Sequence, residues 1–232
     1  MTEPPVTIII PVHNESGFMR PALAALREEL GALSTDYRIT LVENGSTDAT
    51  LAEAVAESES DPRVKVLTLP VADYGLAIRT GMEAADPGGW LVVFDIDYYS
   101  GRFVGRVTEL ADEHDVIIGS KRAAGSDDRR PWIRRLATRV FNFLLRTVVG
   151  SRISDTHGMK AVRASTARQL LPDIRSTKDL FDTELILRAE RAGYRIAEVP
   201  VVVEELRETR SSLFRRVPRT LFGLVVLRRT LR

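Results

Sequence analysis

The sequence has no cysteine among its 232 residues. This absence excludes a disulfide framework, a thiolate metal site and a cysteine nucleophile. The sequence also has no run of about 18 apolar residues, the length that a membrane-spanning helix needs. Its N-terminus lacks the basic region that begins a signal peptide. These absences predict a cytoplasmic protein without a membrane span.

Three signatures of nucleotide and hydrolase loops are missing as well. There is no G-x-S-x-G elbow, no phosphate-binding P-loop and no G-x-G-x-x-G turn. Their absence argues against serine hydrolases, P-loop nucleoside triphosphatases and dinucleotide-dependent oxidoreductases. Aromatic residues make up only 6% of the chain, so no stacking platform for nucleic acid is visible. We therefore expect no nucleic-acid partner.

Charge is unevenly distributed, although the formal net charge is only +1. Residues 121–146 contain eight basic and two acidic residues, and residues 206–232 contain eight basic residues and one acidic residue. These segments carry +6 and +7, which leaves −12 for the rest of the chain. Basic segments on an acidic body favour contact with a phosphorylated ligand or a membrane surface. A solvated helix face is the alternative for either segment.

Apolar runs alternate with amphipathic stretches, a pattern typical of a mostly parallel sheet flanked by helices. The predicted strands are 6–10, 38–43, 64–69, 90–95, 115–119 and one or two within 195–205. The predicted helices are 16–33, 49–58, 75–85, 102–114, 131–148, 180–193 and 211–231. We expect one α/β domain over residues 1–210, followed by a basic amphipathic C-terminal helix over residues 211–232.

Asp95 and Asp97 directly follow the most apolar predicted strand. Ligands bind beyond the carboxyl ends of the strands in open α/β sheets, and two carboxylates one residue apart can both approach a hard cation. Mg²⁺ prefers one or two carboxylates together with phosphate oxygens. The pair therefore predicts a metal and phosphate site, and turn-capping aspartates are the alternative.

Taken together and in order, eight features of the sequence resemble family 2 glycosyltransferases with the GT-A fold, in particular the dolichyl- and polyprenyl-phosphate sugar synthases. The resemblance covers residues 6 to about 212 and implies a Rossmann-like, mostly parallel sheet. The features are TIIIPVHNE (7–15), VENGSTDAT (42–50), YGLAIRTGMEAA (74–85), FDID (94–97), IIGSKR (117–122), the Arg134-x-x-x-Thr138-x-x-x-Asn142 spacing, DTHGMKAVR (155–163) and FDTELILRAERAGYRIAEVPV (181–201).

The resemblance implies a nucleoside-diphosphate-sugar donor and a hexosyl transfer that inverts the anomeric centre. GDP-mannose is the donor that the subgroup favours, and a UDP-hexose is the alternative. Asp95 and Asp97 would be catalytic and would hold Mg²⁺ or Mn²⁺ on the diphosphate, where the ion stabilises the leaving group. The residues expected to bind the donor are Pro11, His13, Asn14, Glu15, Glu43, Gly45, Ser46, Asp73, Gly75, Asp95, Ile96 and Asp97.

The acceptor decides which residues complete the chemistry. A lipid monophosphate is largely ionised near neutral pH and needs cations rather than a base. The resemblance assigns this binding to Lys121, Arg134, Thr138, Arg207 and Ser212. A hydroxyl of a glycan or small molecule would instead need a general base, which would be Asp182 or Glu184.

The sequence departs from the subgroup at several positions, among them Lys121, which stands where arginine is frequent, and two others. Tyr99 stands where a glutamine often joins the metal, and Arg210 stands where glycine is usual. They motivate a third hypothesis, that the chain is a catalytically silent subunit that binds a nucleotide sugar.

The predicted C-terminal helix interleaves apolar residues with arginines, which is typical of a helix lying on a membrane surface. We expect peripheral contact with the inner face of the cell membrane. The alternatives are that this helix docks on the body of the protein or forms a homo-oligomer contact.

Overall fold

The computed structural model describes residues 4–203, 223–224 and 227–231. In chain order, the strands and α-helices of this part are β1 (Val6–Val12), α1 (Met19–Gly31), β2 (Tyr37–Asn44), α2 (Thr50–Ser60), β3 (Val64–Leu69), α3 (Tyr74–Glu83), β4 (Trp90–Val93), α4 (Gly101–Glu109), β5 (Val116–Ser120), β6 (Asp127–Asp128), α5 (Trp132–Leu144), β7 (Lys160–Arg163), α6 (Ala164–Leu170), α7 (Phe181–Arg191), β8 (Ile196–Pro200) and β9 (Val202–Val203).

Seven strands form one sheet in the order β3-β2-β1-β4-β7-β5-β8, and β6 pairs with β9 in a small parallel ribbon. Every pairing in the large sheet is parallel except those of β7. Helices cover both faces, because successive side chains of a strand point to opposite sides. On β1, Ile8 and Ile10 pack in the layer of α1 and α4, whereas Ile9 packs in the layer of α3, α6 and α7. The predicted α/β architecture is confirmed.

Strand β7 and helix α6 were not predicted from the sequence. β7 is antiparallel to both neighbours, and its first residue, Lys160, pairs with Val93 of β4 and Ile118 of β5. A four-residue strand that begins and ends with a basic residue has no clear apolar run, so its pattern does not stand out. Because β7 runs against the other strands, its first residue lies at the edge where they end.

Other boundaries differ modestly from the predictions. The helix predicted over 102–114 ends at Glu109. The helix predicted over 131–148 ends at Leu144 and continues as a π-helical turn to Val149, which Gly150 closes with a φ of 79°. A left-handed residue of this kind ends helices readily when it is glycine. The segment 195–205 contains two short strands, β8 and β9.

The described part of the C-terminal segment packs on the body of the protein. Leu224 and Leu227 are buried in a cluster with Leu145, Val149 and Leu187. The predicted domain boundary at 210 and most of the predicted helix 211–232 lie outside the described residues. Among the residues that are described, no helix is long and apolar enough to cross a bilayer.

Candidate active site

The loop after β1 is bonded to the loop after β2. The backbone N–H of Asn14 donates to the Ser46 hydroxyl at 3.0 Å, and its side-chain oxygen accepts from the backbone N–H of Thr47 at 2.8 Å. Asn14 has a φ of 55°, a left-handed conformation that asparagine tolerates better than most residues. The Nδ1–H of His13 donates to the carbonyl of Asn44 at 2.8 Å, which leaves Nε2 to accept from the Asn14 amide at 3.2 Å.

Further bonds make these two loops one rigid unit. The backbone N–H of Glu15 donates to the Thr50 hydroxyl at 2.7 Å. The same hydroxyl donates to Asp48 at 2.5 Å, and this bond lowers the pKa of Asp48. Glu43 is buried and accepts from the backbone N–H of Ser46 at 2.5 Å. The residues after β1 and β2 that were predicted to bind the nucleotide sugar therefore lie together. Hydrogen bonds from side chains of these loops hold their backbone in place.

Gly45, between these loops and the end of β3, has a φ of 65° and lies against the backbone of Val71 and Ala72. A side chain at this position would be strained by the backbone conformation and would approach that backbone at 3.0 Å. Gly45 therefore brings the β2 and β3 ends close to one another.

Asp73 and Gly75 hold a neighbouring segment in place. Asp73 caps α3 by accepting from the backbone N–H of Leu76 at 3.0 Å, and the same oxygen accepts from that of Lys178 at 2.9 Å. A Cβ on Gly75 would come within 2.7 Å of Lys178 N and of Phe181 Cβ. Asp73 and Gly75, which were predicted to bind the nucleotide sugar, thus support the packing of segment 177–181 on α3.

Asp95 and Asp97 lie just beyond β4, where Ile96 between them is buried in the core. The Tyr74 hydroxyl donates to Asp95 Oδ1 at 2.8 Å. Burial raises the pKa of the Asp95 carboxyl above its ordinary value, and Lys160 and Tyr74 only partly oppose this effect. As whole residues, Asp95 and Asp97 are half-buried at the edge of the sheet.

The donor atoms of Asp95 and Asp97 suit a divalent cation. Across the described residues, no group of three or more histidine, aspartate or glutamate side chains forms a complete metal cage. Two carboxylates fit an ion whose other ligands are diphosphate oxygens and water. Tyr99, the departure noted above, packs against the core cluster of α1 and α4.

A buried ion pair lies near Asp95. One partner, Asp182, was predicted from the sequence as a candidate base, but the other, Lys160, was not predicted. Lys160 Nζ lies 2.7 Å from Asp182 Oδ2, and both side chains are almost fully buried. The other oxygen of Asp182 has no hydrogen-bond partner among the described residues. The sequence did contain a signal, because a lysine in the motif DTHGMKAVR leads directly into apolar residues. Lys160 acts to lower the pKa of Asp95, and Asp182 acts to raise it.

Glu184 was predicted as a candidate base, but the structure uses its carboxylate for folding. The group is fully buried and accepts from the backbone N–H groups of Arg175 and Ser176 at 3.2 and 2.7 Å. Arg188 also donates to it, at 2.8 Å. Burial would raise the pKa of Glu184, but these hydrogen bonds outweigh burial and lower it. A carboxylate with no access to solvent and three donors is poorly suited to remove a proton from a substrate.

A basic cavity of about 440 Å³ lies between the end of β5 and α5. Its lining residues are Lys121, Arg122, Ser126, Asp127, Asp128, Arg135, Thr138 and Arg139. Of the predicted acceptor residues, Lys121 and Thr138 are therefore at this cavity, together with three arginines that were not predicted. Arg130 donates to Thr138 at 3.3 Å and forms an ion pair with Asp128 at 2.8 Å.

The side chain of Lys121 is largely buried and already pairs with a carboxylate. Its ammonium lies 3.5 Å from Asp155 Oδ2 and 5.6 Å from the centre of the Tyr98 ring. Asn142, which shares a helix face with Thr138, is buried and donates to the Ser154 carbonyl at 2.5 Å. Arg134 lies on α5, but its side chain is outside what the structure describes, as are Arg207, Arg210 and Ser212.

The sequence is similar to known proteins along most of its length. A sequence model of Glycosyl transferase family 2 matches residues 7–170. Glycosyltransferase AglD of Haloferax volcanii is 29% identical over 217 residues, which cover 90% of this chain but only 35% of AglD. An undecaprenyl-phosphate mannosyltransferase of Micrococcus luteus is 29% identical over 220 residues, which cover 89% of this chain and 87% of that protein.

The fold is similar to that of a solved enzyme. Glucosyl-3-phosphoglycerate synthase from Mycobacterium tuberculosis, in complex with Mn²⁺, UDP-glucose and phosphoglyceric acid, matches with a TM-score of 0.67 and 18% identity. The match covers 97% of this chain and 79% of that structure. At this identity the likeness describes the fold and leaves the substrate of this chain open.

Proposed function

The chain belongs to glycosyl transferase family 2 and has the GT-A fold, and from this premise we propose that it transfers a hexose from a nucleoside-diphosphate sugar to a polyprenyl or dolichyl phosphate. One observation carries the choice of acceptor. The basic cavity beside α5 lies at the same edge of the sheet as Asp95 and Asp97, since β4 and β5 both end there. Clustered arginines favour the recognition of phosphate.

The donor would lie along the bonded loops after β1, β2 and β3. The rigid loop pair around Asn14 and Ser46 offers a preformed surface for the nucleoside, and Asp95 and Asp97 would hold Mg²⁺ or Mn²⁺. When bound, such an ion neutralises the diphosphate as it leaves. Lys160, buried beside Asp95, adds a fixed positive charge that limits repulsion among the carboxylates.

The transfer needs no protein base when the acceptor is a phosphate. An oxygen of the ionised lipid phosphate attacks the anomeric carbon, the bond from that carbon to the diphosphate breaks, and the nucleoside diphosphate leaves with the electron pair. This single displacement inverts the anomeric centre. Arg122, Arg135 and Arg139 of the cavity would hold the attacking phosphate in line, which is the main contribution that positioning makes to such reactions.

Two similar proteins point to different donors. The relative from Micrococcus luteus is named a mannosyltransferase, whereas the solved structure with this fold contains UDP-glucose. We keep GDP-mannose as the first donor to test and UDP-glucose as the second. The lipid acceptor implies that the reaction takes place at a membrane surface, which we propose to be the inner face of the cell membrane.

A transfer assay tests the proposal. The purified chain is incubated with GDP-mannose or UDP-glucose, Mn²⁺ and a short-chain polyprenyl phosphate, and the glycosylated lipid is measured by mass spectrometry. We expect product with one of the two donors. Absence of product with both donors, or equal transfer to a prenyl alcohol, would contradict the proposed acceptor.

A pair of variants tests the role of the cavity. The double variant Arg135→Gln, Arg139→Gln removes two cavity cations, and Arg102→Gln removes an exposed cation on α4 as the matched control. We expect the double variant to raise the KM for the lipid phosphate about a hundredfold or more, since two charge-assisted bonds of about 1.5–3 kcal/mol each are lost. Hydrolysis of the donor without acceptor should remain unchanged in both variants.

Transfer to a hydroxyl is the second candidate function, and the unpartnered Oδ1 of Asp182 favours it. Its burial and its ion pair with Lys160 speak against it. The variant Asp182→Asn separates the two functions, because a hydroxyl acceptor would lose nearly all transfer whereas a phosphate acceptor would not lose its nucleophile. Metal-dependent hydrolysis of the donor by the wild-type chain would refute the third hypothesis, a catalytically silent subunit.

A further inference from the structure

Helix α5 presents large apolar side chains to solvent. Trp132 and Phe143 are each 65% exposed, and Ile133, Val140 and Leu136 are 52%, 49% and 48% exposed. Together these five residues form what we call the α5 stripe. Single exposed apolar residues are ordinary on protein surfaces, but a contiguous group of this size marks a contact surface.

The spacing places the members of the α5 stripe on one side of the helix. Trp132, Leu136, Val140 and Phe143 follow one another at intervals of four, four and three residues, which brings them onto one face. Ile133 lies beside them. The stripe is about 16 Å long at 1.5 Å per residue, so it suits a helix that lies along a surface.

Positive charge borders the α5 stripe on the side of the basic cavity. Arg135 and Arg139 are exposed on α5, and both line the cavity together with Thr138 of the same helix. An apolar face bordered by arginines matches the interface of an anionic bilayer, where apolar residues enter the acyl boundary and cations meet headgroups. The helix therefore has a phosphate-binding side and an apolar side next to one another.

We propose that the α5 stripe is the surface by which this protein lies on an anionic lipid bilayer. This inference rests on the proposed function, because a lipid phosphate has a charged end that suits the basic side of α5 and a hydrocarbon end that suits its apolar side. Its phosphate would enter the basic cavity while its hydrocarbon chain stays in the bilayer that the stripe contacts. Docking through α5 thus delivers the acceptor to the cavity without lifting its chain into water.

The described C-terminal residues support α5 as the contact. Leu224 and Leu227 are buried against the body of the protein, in the cluster that includes Leu145 and Val149 just beyond α5. These two apolar residues are therefore already used in packing and cannot also enter a bilayer. The side chains of the α5 stripe, in contrast, remain exposed.

Vesicle sedimentation tests the membrane surface. The protein is mixed at low salt with vesicles of phosphatidylcholine containing about one third phosphatidylglycerol, and the bound fraction is measured. The triple variant Leu136→Gln, Val140→Gln, Phe143→Gln changes the α5 stripe. The double variant Leu51→Gln, Val55→Gln is the matched control, because these residues are exposed apolar residues of α2. All variants are first checked for unchanged circular dichroism and melting temperature.

We expect wild type and control to bind alike and the triple variant to bind at least about tenfold more weakly, because membrane affinity scales with the apolar area buried. Equal binding of the triple variant, or no binding of the wild type, would overturn the proposal. So would a wild-type dimer in lipid-free solution that the triple variant converts to a monomer, since the stripe would then be an interface between copies.

Tryptophan fluorescence gives an independent readout. The chain has two tryptophans, of which Trp90 is fully buried and Trp132 belongs to the α5 stripe. Vesicles containing brominated lipids should quench wild-type emission, and the variant Trp132→Phe should lose that quenching. Quenching that persists in Trp132→Phe would show that another part of the chain enters the bilayer.

The two proposals fail in different ways. Transfer to a short-chain, water-soluble prenyl phosphate needs no membrane, so the triple variant should retain it. If no lipid phosphate is glycosylated but vesicle binding depends on the stripe, the acceptor is wrong and the membrane surface stands. If transfer to the soluble acceptor proceeds but the triple variant binds vesicles as well as wild type does, the proposed membrane surface is wrong and the proposed function stands.

Discussion

Lys160 shows how much one buried charge can influence a site. It is 2% exposed, and Asp182 meets its charge at 2.7 Å. Burying an ion pair costs desolvation on both sides, so such a pair adds little net stability, but the loss of one partner leaves an uncompensated charge. The pair therefore contributes to the site mainly through Lys160, whose charge limits repulsion between Asp95 and Asp182.

The first prediction concerns this ion pair. Lys160→Met should lower the free energy of unfolding by about 3–5 kcal/mol, because Asp182 would be left buried without its partner. The double variant Lys160→Met, Asp182→Leu should recover most of that loss, since neither charge remains. Urea unfolding monitored by circular dichroism measures both. A single variant as stable as wild type would show that the pair is not coupled as the structure indicates.

The second prediction concerns Asp155, which lies under Lys121. Burial acts to raise the pKa of Asp155, but Lys121 and hydrogen bonds, among them one from the backbone N–H of His157, outweigh burial, so the pKa lies below 3.8. A carboxylate with a lowered pKa in the folded state stabilises the protein above its unfolded pKa and loses this contribution as the pH falls. Asp155→Asn should therefore flatten the fall in stability below about pH 4.

The control for this experiment is Asp112→Asn, which changes an exposed carboxylate in the turn that follows α4. Denaturant unfolding at a series of pH values between neutral and acid would compare the three proteins. If Asp155→Asn and Asp112→Asn give the same pH dependence as wild type, Asp155 does not contribute through its ionised form.

At the scale of elements, the insertion of β7 between β4 and β5 assembles the site. It places Lys160 at the edge where β4 and β5 end, and the loop before it supplies Asp155 to Lys121. The close pairing depends on Gly158, because a Cβ there would overlap the carbonyl oxygen of Gly119 on β5. Gly158 thus allows the close backbone approach between the start of β7 and β5. Through β7, this approach joins β4, beside the proposed donor site, to β5, beside the basic cavity.

The third prediction tests this close approach. Gly158→Ala should lower the free energy of unfolding by about 1–3 kcal/mol, because backbone must shift to make room for the methyl group. Gly31→Ala at the end of α1 is the matched control, since nothing lies within 4 Å of its added Cβ. The control should be neutral or up to about 1 kcal/mol more stable. Equal stabilities of the two variants would contradict the steric argument.

At the scale of the whole molecule, charge is divided between two functions. Loops of the acidic body after β1–β4 would face the proposed donor, and residues of the basic segment 121–146 line the cavity on the other side of β7. A metal-bound donor is compatible with carboxylates, whereas an anionic acceptor needs arginines. Under the proposed function, this separation would let two anionic substrates lie side by side while each contacts a different set of side chains.

The fourth prediction concerns donor binding by the whole chain. A nucleotide sugar supplied with Mn²⁺ at 100 times its dissociation constant should stabilise the fold by about 2.7 kcal/mol. For a chain of this length the melting temperature should rise by about 5–10 °C. Asp97→Asn should lose most of the shift. A panel of GDP- and UDP-sugars that leaves the melting temperature unchanged would contradict the proposed donor site.

Much of the fold was predictable because it follows from local pattern. The apolar run of β1 and the spacing of Leu23, Leu26 and Leu30 on α1 identify a buried strand and an amphipathic helix without any distant contact. The short strand β7 has no such pattern, and its pairing is decided by contacts far along the chain. The same limit applies to Glu184, whose sequence position suggests a base but whose carboxylate is occupied by Arg175, Ser176 and Arg188.

The sequence by itself therefore determined the α/β class, the order of the motifs, the paired carboxylates and the separation of charge, because each depends on residue type and spacing along the chain. Only the tertiary structure decided that Lys160 neutralises Asp182, that Asp73 and Gly75 support packing, and that α5 keeps an apolar face exposed beside a basic cavity. The physical reason is that burial and pairing arise between segments distant in sequence, and no local pattern contains them.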